Sequence, residues 1–183
     1  VLVIIIVWAG YYTIRFTLRK YMYPVKYIET VEKYSIMYNV EPELVFAVIN
    51  TESGFDKNAV SSANAMGLMQ ITPETFSWLQ SKLKEDLPDE ALFNEDTAIR
   101  YGTYFLHLLL EKFGDTGTAA AAYHAGMNRV DQWLEDRELS PDGKVLSSIP
   151  YNDTAYYVHK IEKAVDVYSK IYKPETDQAS TTL

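Results

Sequence analysis

No cysteine occurs in the 183 residues. That excludes a disulfide framework and any thiolate metal site, and it leaves the compartment open. Histidine is nearly as scarce, with three in all. His107 and His159 have no partner at metal-ligand spacing and read as structural or solvent-facing. No metal triad or phosphate-cradling glycine loop occurs, so no cofactor is expected. Positive charge is thin and unevenly placed, for the formal net charge is −8. Residues 1–40 carry five Lys/Arg against two Glu, or +3, and the remainder carries 12 against 23, or −11. An acidic body of this kind excludes nucleic acid, whose phosphates demand a basic face. Alternating strand patterns and internal repeats are also missing, which leaves an all-α reading.

What is present is globular in character, with 48% hydrophobic and 14% aromatic residues, enough for one domain with a real core. Tyrosine is the unusual entrant at 15 copies. A flat apolar face with a hydroxyl suits sugar binding, and most such rings serve packing.

The chain starts with VLVIIIVWAGYYTI, 14 residues without a charge, then Arg15, Arg19 and Lys20. A membrane span needs about 20 apolar residues. Residues 1–23 are read as a membrane anchor or uncleaved export signal with a basic flank, since a soluble domain rarely exposes such a run. Basic residues directly after the run fit the positive-inside rule poorly if the body is exported. Residues 24–173 form the folded domain, and residues 174–183 have nothing to bury and are expected to be disordered.

Within the domain, Val25, Ile28, Val31 and Ile36/Met37 recur at near-helical spacing and predict a first helix over 25–38. A second follows from Pro42, apolar on every side from Leu44 to Ile49 and therefore buried, and it ends near Ser53-Gly54. Thr72-Pro73-Glu74 reads as the start of a third. Residues 85–94 read as a loop. Asn94 caps a long helix to Phe113, with Gly102 marking a close helix–helix approach and Gly114 the stop. Two short helices and an irregular loop over 136–150 lead to a last helix from Asn152 or Asp153 to about Tyr172.

The stretch from Asn50 to Glu74 has few charges: Glu52, then Asp56 and Lys57, then nothing until Glu74. Glu52 falls in the last turn of the buried second helix. A helix C-terminus carries partial negative charge and disfavours carboxylate there, and burial pushes the same way. Both raise the pKa toward what a general acid needs near neutral pH. Asp56, the nearest second carboxylate, lies past Gly54 and reads as a turn residue bonding backbone.

Four patches stand in order: ESGF (52–55), GLMQ (67–70), AYHAG (122–126) and IPYNDTAYYVHKI (149–161). Together they resemble the lytic transglycosylases of the soluble-lytic-transglycosylase family, bacterial enzymes that cleave peptidoglycan. These share a lysozyme-like, mostly helical fold with goose-type lysozyme. The resemblance covers about residues 26–172. It implies that Glu52 is the catalytic acid that protonates the glycosidic oxygen. It also implies that the substrate's N-acetyl group and 6-hydroxyl replace a second carboxylate. Glu52 then acts as base toward that hydroxyl, closing a 1,6-anhydro ring on N-acetylmuramic acid without water.

The same resemblance places Met69 and Gln70 on the saccharide groove, has Ser53 position nearby backbone, and puts Tyr123 and Tyr157 in the cleft. At two positions the chain departs from the family pattern. His124 replaces the Asn of AYNAG, and Asp153 replaces the Glu usually found before Thr. Asp153 reads equally well as a helix N-cap. The implied partners are peptidoglycan glycan strands and, through residues 1–23, a membrane, with the catalytic domain on the cell-wall side. Two rivals remain from the residues. A muramidase of the same fold would need a second carboxylate or a positioned water, with Asp56 the only obvious candidate. A non-catalytic glycan-binding wall protein would keep the groove without turnover.

Overall fold

Six successive residues, Leu44 to Ile49, are almost wholly removed from solvent, and the rest of the chain is arranged to cover them. The computed structural model describes Trp8, Gly10 and residues 21–172. The expected anchor over 1–23, apart from Trp8, Gly10 and residues 21–23, and the expected tail over 174–183 lie outside the described residues. Among the described residues no helix is long and apolar enough to cross a membrane.

Seven α-helices are described: α1 Ile28–Tyr38, α2 Pro42–Glu52, α3 Pro73–Leu83, α4 Glu95–Phe113, α5 Thr116–Ala125, α6 Met127–Glu135 and α7 Asn152–Ile171. No strand forms among the described residues; two isolated bridges, Val60 with Met66 and Met66 with Ile71, stitch the loop between α2 and α3. The all-α expectation holds.

Local chemistry sets the helix ends. Pro42 occupies the first turn of α2, where its missing N–H costs nothing. Asn94 accepts from the Thr97 N–H to cap α4, and Gly114 ends it at φ 67°. Asp115 caps α5 through the Thr118 N–H at 2.7 Å. The buried α2 packs mainly against α7, while α4 packs on α1 and α5, and α5 also meets α6 and α7. These contacts bring the C-terminal end of α2 beside α5 and the first half of α7.

Four expectations need correction. The first helix starts at Ile28, because Tyr27 before it takes the left-handed conformation at φ 58°. Its buried face is Val31, Tyr34 and Ser35, whereas Ile36 and Met37 are 83% and 56% exposed. Packing on α4 selected the i, i+3, i+4 set over the other apolar positions. Residues 85–94 are not a plain loop: Asp89–Phe93 form a 3₁₀ helix that buries Leu92. Gly102 accommodates a side chain and not a helix. A Cβ built there would lie 2.1 Å from Met69 Sδ and 2.8 Å from Met69 Cβ.

Candidate active site

Glu52 is the last residue of α2, and Tyr157 comes to it from α7, donating its O–H to Glu52 Oε1 at 2.7 Å. Burial raises the Glu52 carboxyl to about 7, against the opposing pull of the Tyr157 hydrogen bond and of the Lys160 charge. Desolvation therefore outweighs a hydrogen bond and a cation together, and the group is held near half-protonation at neutral pH. Both tyrosines nearby stay protonated. Burial and then the Glu52 charge push the Tyr123 and Tyr157 hydroxyls well above their ordinary value.

The loop after α2 is locked to these helices through its backbone. Ser53 Oγ donates to the Leu68 carbonyl at 2.8 Å, and the Tyr123 hydroxyl donates to the Met69 carbonyl at 2.8 Å. Gln70, at φ 48°, spends its amide N–H groups on the carbonyls of Ala59 and Gly67, each at 3.0 Å. Its Oε1 remains the group able to accept from a ligand. Ser53 thus ties the loop backbone to the end of α2. The Met69 side chain, however, is buried in the notch left by Gly102. It does not line an open groove, and the exchange of a Cβ for that notch explains why. Met69 serves the site through its carbonyl oxygen.

His124 is exposed on α5. Its ring lies 4.6 Å from the Tyr157 ring at 31°, and Nδ1 is 3.1 Å from the buried Thr154 Oγ1. It thus touches the tyrosine that holds Glu52, without touching Glu52 by any hydrogen bond. Asp153 is not the helix cap, since Tyr151 occupies that position. Its exposed carboxylate accepts from the Thr154 N–H at 2.8 Å, so it is used locally in the first turn. Asp56 is exposed and accepts from the Asn58 N–H at 2.9 Å, as its turn reading required.

Glu52, Ser53, Gln70, Tyr123, His124 and Tyr157 are therefore gathered, with the half-buried Glu52 the one carboxyl among them. Two contributors escaped the sequence reading. Lys160 lies three residues beyond Tyr157 on α7, a spacing that puts both on one helix face. Thr154 is 1% exposed and turns out to be the partner of His124. The i+3 rule would have found the lysine, but nothing local marks the threonine.

The profile of the transglycosylase SLT domain family matches residues 29–144. A membrane-bound lytic murein transglycosylase C of Actinobacillus pleuropneumoniae is 32% identical over 169 residues, spanning 80% of this chain and 46% of that protein. The soluble lytic murein transglycosylase of Salmonella typhimurium is 30% identical, over 80% of this chain and 23% of its own length. Among solved structures, the 70 kDa soluble lytic transglycosylase of Escherichia coli superposes with a TM-score of 0.74 at 26% identity, covering 81% of this chain and 25% of that one. The chain thus spans about half the length, or less, of the relatives it matches.

Proposed function

We propose, from the premise that this chain belongs to the transglycosylase SLT domain family, that it is a peptidoglycan lytic transglycosylase with Glu52 as its sole acid and base. The observation that carries the reading is a half-buried carboxyl raised to about 7 by desolvation, with Asp56 exposed and committed to a turn. Protonated Glu52 gives its proton to the β-1,4 glycosidic oxygen after N-acetylmuramic acid. The N-acetyl carbonyl oxygen of the same sugar closes on the anomeric carbon as the leaving N-acetylglucosamine departs. The Glu52 carboxylate then takes the 6-hydroxyl proton, and O6 displaces the N-acetyl oxygen to give the 1,6-anhydro sugar. The proton count returns to the start and no water is consumed. Tyr157 holds the carboxyl in one orientation throughout.

Mass spectrometry of muropeptides from purified cell wall tests this. Anhydro products lack the water that hydrolysis adds, so water-containing products alone would replace the reading with a muramidase.

Lys160 supplies a sign test of the acid assignment. A nearby cation favours the carboxylate, and its removal lifts the Glu52 pKa further. In Lys160→Met the alkaline fall of kcat/KM is expected at higher pH, with about a twofold gain on that limb for a screened charge. An unmoved limb would show that another group titrates there.

The reading includes attachment to a membrane through residues 1–23, with the domain on the cell-wall side. The uncharged run supports it, as does the similarity to the membrane-bound Actinobacillus enzyme. Deletion of 1–23 is expected to give a soluble protein with wild-type muropeptide release. An aggregated product without a near-UV circular dichroism signal would place that segment in the core.

A further inference from the structure

The geometry points to Arg129 and the cavity beside it as a subsite for the carboxylate carried on the lactyl substituent of a muramyl residue, either the free lactyl acid or its attached peptide. This rests on the proposed reading of Glu52 and names the substrate feature that the cleft would recognise. The cavity measures about 300 Å³ and is lined by Ala125, Gly126, Met127, Asn128, Arg129 and Gln132. It begins one residue after His124, whose ring packs on the tyrosine that holds Glu52. Its volume lies at the small end of ligand sites and suits an amino-acid-sized group rather than a further sugar ring.

Arg129 is the one cation on this wall, and Tyr151 holds it in place. Its guanidinium lies 5.3 Å from the Tyr151 ring, and Nη1 donates to the Tyr151 hydroxyl. Trp133 meets the same ring edge-on at 5.2 Å, and Tyr151 itself occupies the cap position before α7. The acidic neighbour on the same helix, Asp131, is taken by Lys112. No carboxylate among the described residues pairs with Arg129. In a body of net charge −11 after residue 40, an arginine left without a carboxylate and held by the Tyr151 ring and hydroxyl is set to meet an external one. Its planar fork has N–H groups beyond the one given to Tyr151, which suits a carboxylate better than a neutral hydroxyl. The Gln132 amide adds a donor on the same wall.

Binding measured by titration calorimetry with the full chain in detergent, in a Glu52→Gln background that prevents turnover, tests the assignment. Three tetrasaccharides serve as probes: neutral chitotetraose, a muramyl form with free lactyl acid, and a muramyl form with its peptide. Arg129→Gln is expected to weaken the carboxylate-bearing probes about tenfold, the scale of one charge-assisted hydrogen bond near solvent. Chitotetraose should bind as before, and Arg129→Lys should fall between. Attachment of the peptide turns the lactyl carboxyl into an amide. Loss for the free-acid probe alone therefore assigns the lactyl acid, and loss for the peptide form alone assigns a carboxylate of the stem. Loss for both shows that either carboxylate reaches Arg129. Equal loss on chitotetraose, or no loss on any probe, overturns the subsite. Raising salt on the parent protein should weaken the acidic probes selectively, and its failure to do so also overturns it. A chain that forms no anhydro product yet shows this selectivity would refute the proposed activity and keep the subsite.

Discussion

Glu52→Gln is expected to release no more than a trace of muropeptide from purified wall while still binding glycan. The amide keeps the size of the side chain and an oxygen for the Tyr157 hydroxyl, now 2.7 Å from Oε1. It loses the one proton that the cleavage needs. General acid–base catalysis is worth on the order of 10² to 10⁴ in rate, and here both steps depend on the same group. Release at near-wild-type rate by the purified variant would remove Glu52 from the mechanism.

The same substitution has a consequence for stability whose sign differs from the usual loss. The Glu52 carboxyl is raised from 4.5 to about 7 in the folded chain. The native state therefore binds more protons than the unfolded state between those two values, and stability falls as pH rises through that window. A carboxylate that must ionise in a desolvated site is a destabilising group above pH 7. Glutamine carries no such charge, so Glu52→Gln should melt higher than the parent at pH 8 and close to it at pH 4. The ceiling is about 3 kcal/mol for a rise from 4.5 to about 7, reduced because Glu52 is partly exposed. Equal melting differences at both pH values would mean that the carboxyl is not raised in the folded protein.

What was legible in the sequence was whatever depends on local pattern. The buried α2 could be read from Leu44–Ile49, and the helix ends from Pro42, Asn94 and Gly114, because caps and periodicity act over a few residues. Glu52 was legible as a raised carboxyl for the same reason: a helix C-terminus and an apolar run adjoin it in sequence. The contacts that assemble the site were not legible locally. Tyr157 reaches Glu52 across 105 positions, and only the resemblance to the family joined them. Met69 shows the limit most clearly. Its place in GLMQ suggested a groove contact, yet a glycine 33 positions later offers a notch that only three-dimensional packing reveals. His124 likewise found a buried threonine on another helix.

Gly67→Ala is expected to be among the most disruptive single substitutions in the domain, although it adds one methyl group. Gly67 has φ 73°, and a Cβ there would lie 2.0 Å from the Leu92 carbonyl oxygen and 3.0 Å from its carbon. The left-handed conformation alone costs alanine about 1 kcal/mol. The obstacle is backbone inside the 3₁₀ turn that buries Leu92, so it has no rotamer by which to withdraw. Either that turn or the GLMQ loop must move, at a total of about 3 kcal/mol, or about 10 °C in melting temperature for a domain of this size. If the loop moves, it carries the Leu68 and Met69 carbonyls away from Ser53 and Tyr123, and activity falls with stability. Gly114 separates the two causes. It has φ 67° with nothing within 4 Å of a built Cβ, so Gly114→Ala bears the conformational cost without the collision. Thermal melting of both variants decides the matter: equal shifts would show that the Leu92 carbonyl yields freely and that only backbone conformation requires glycine at 67.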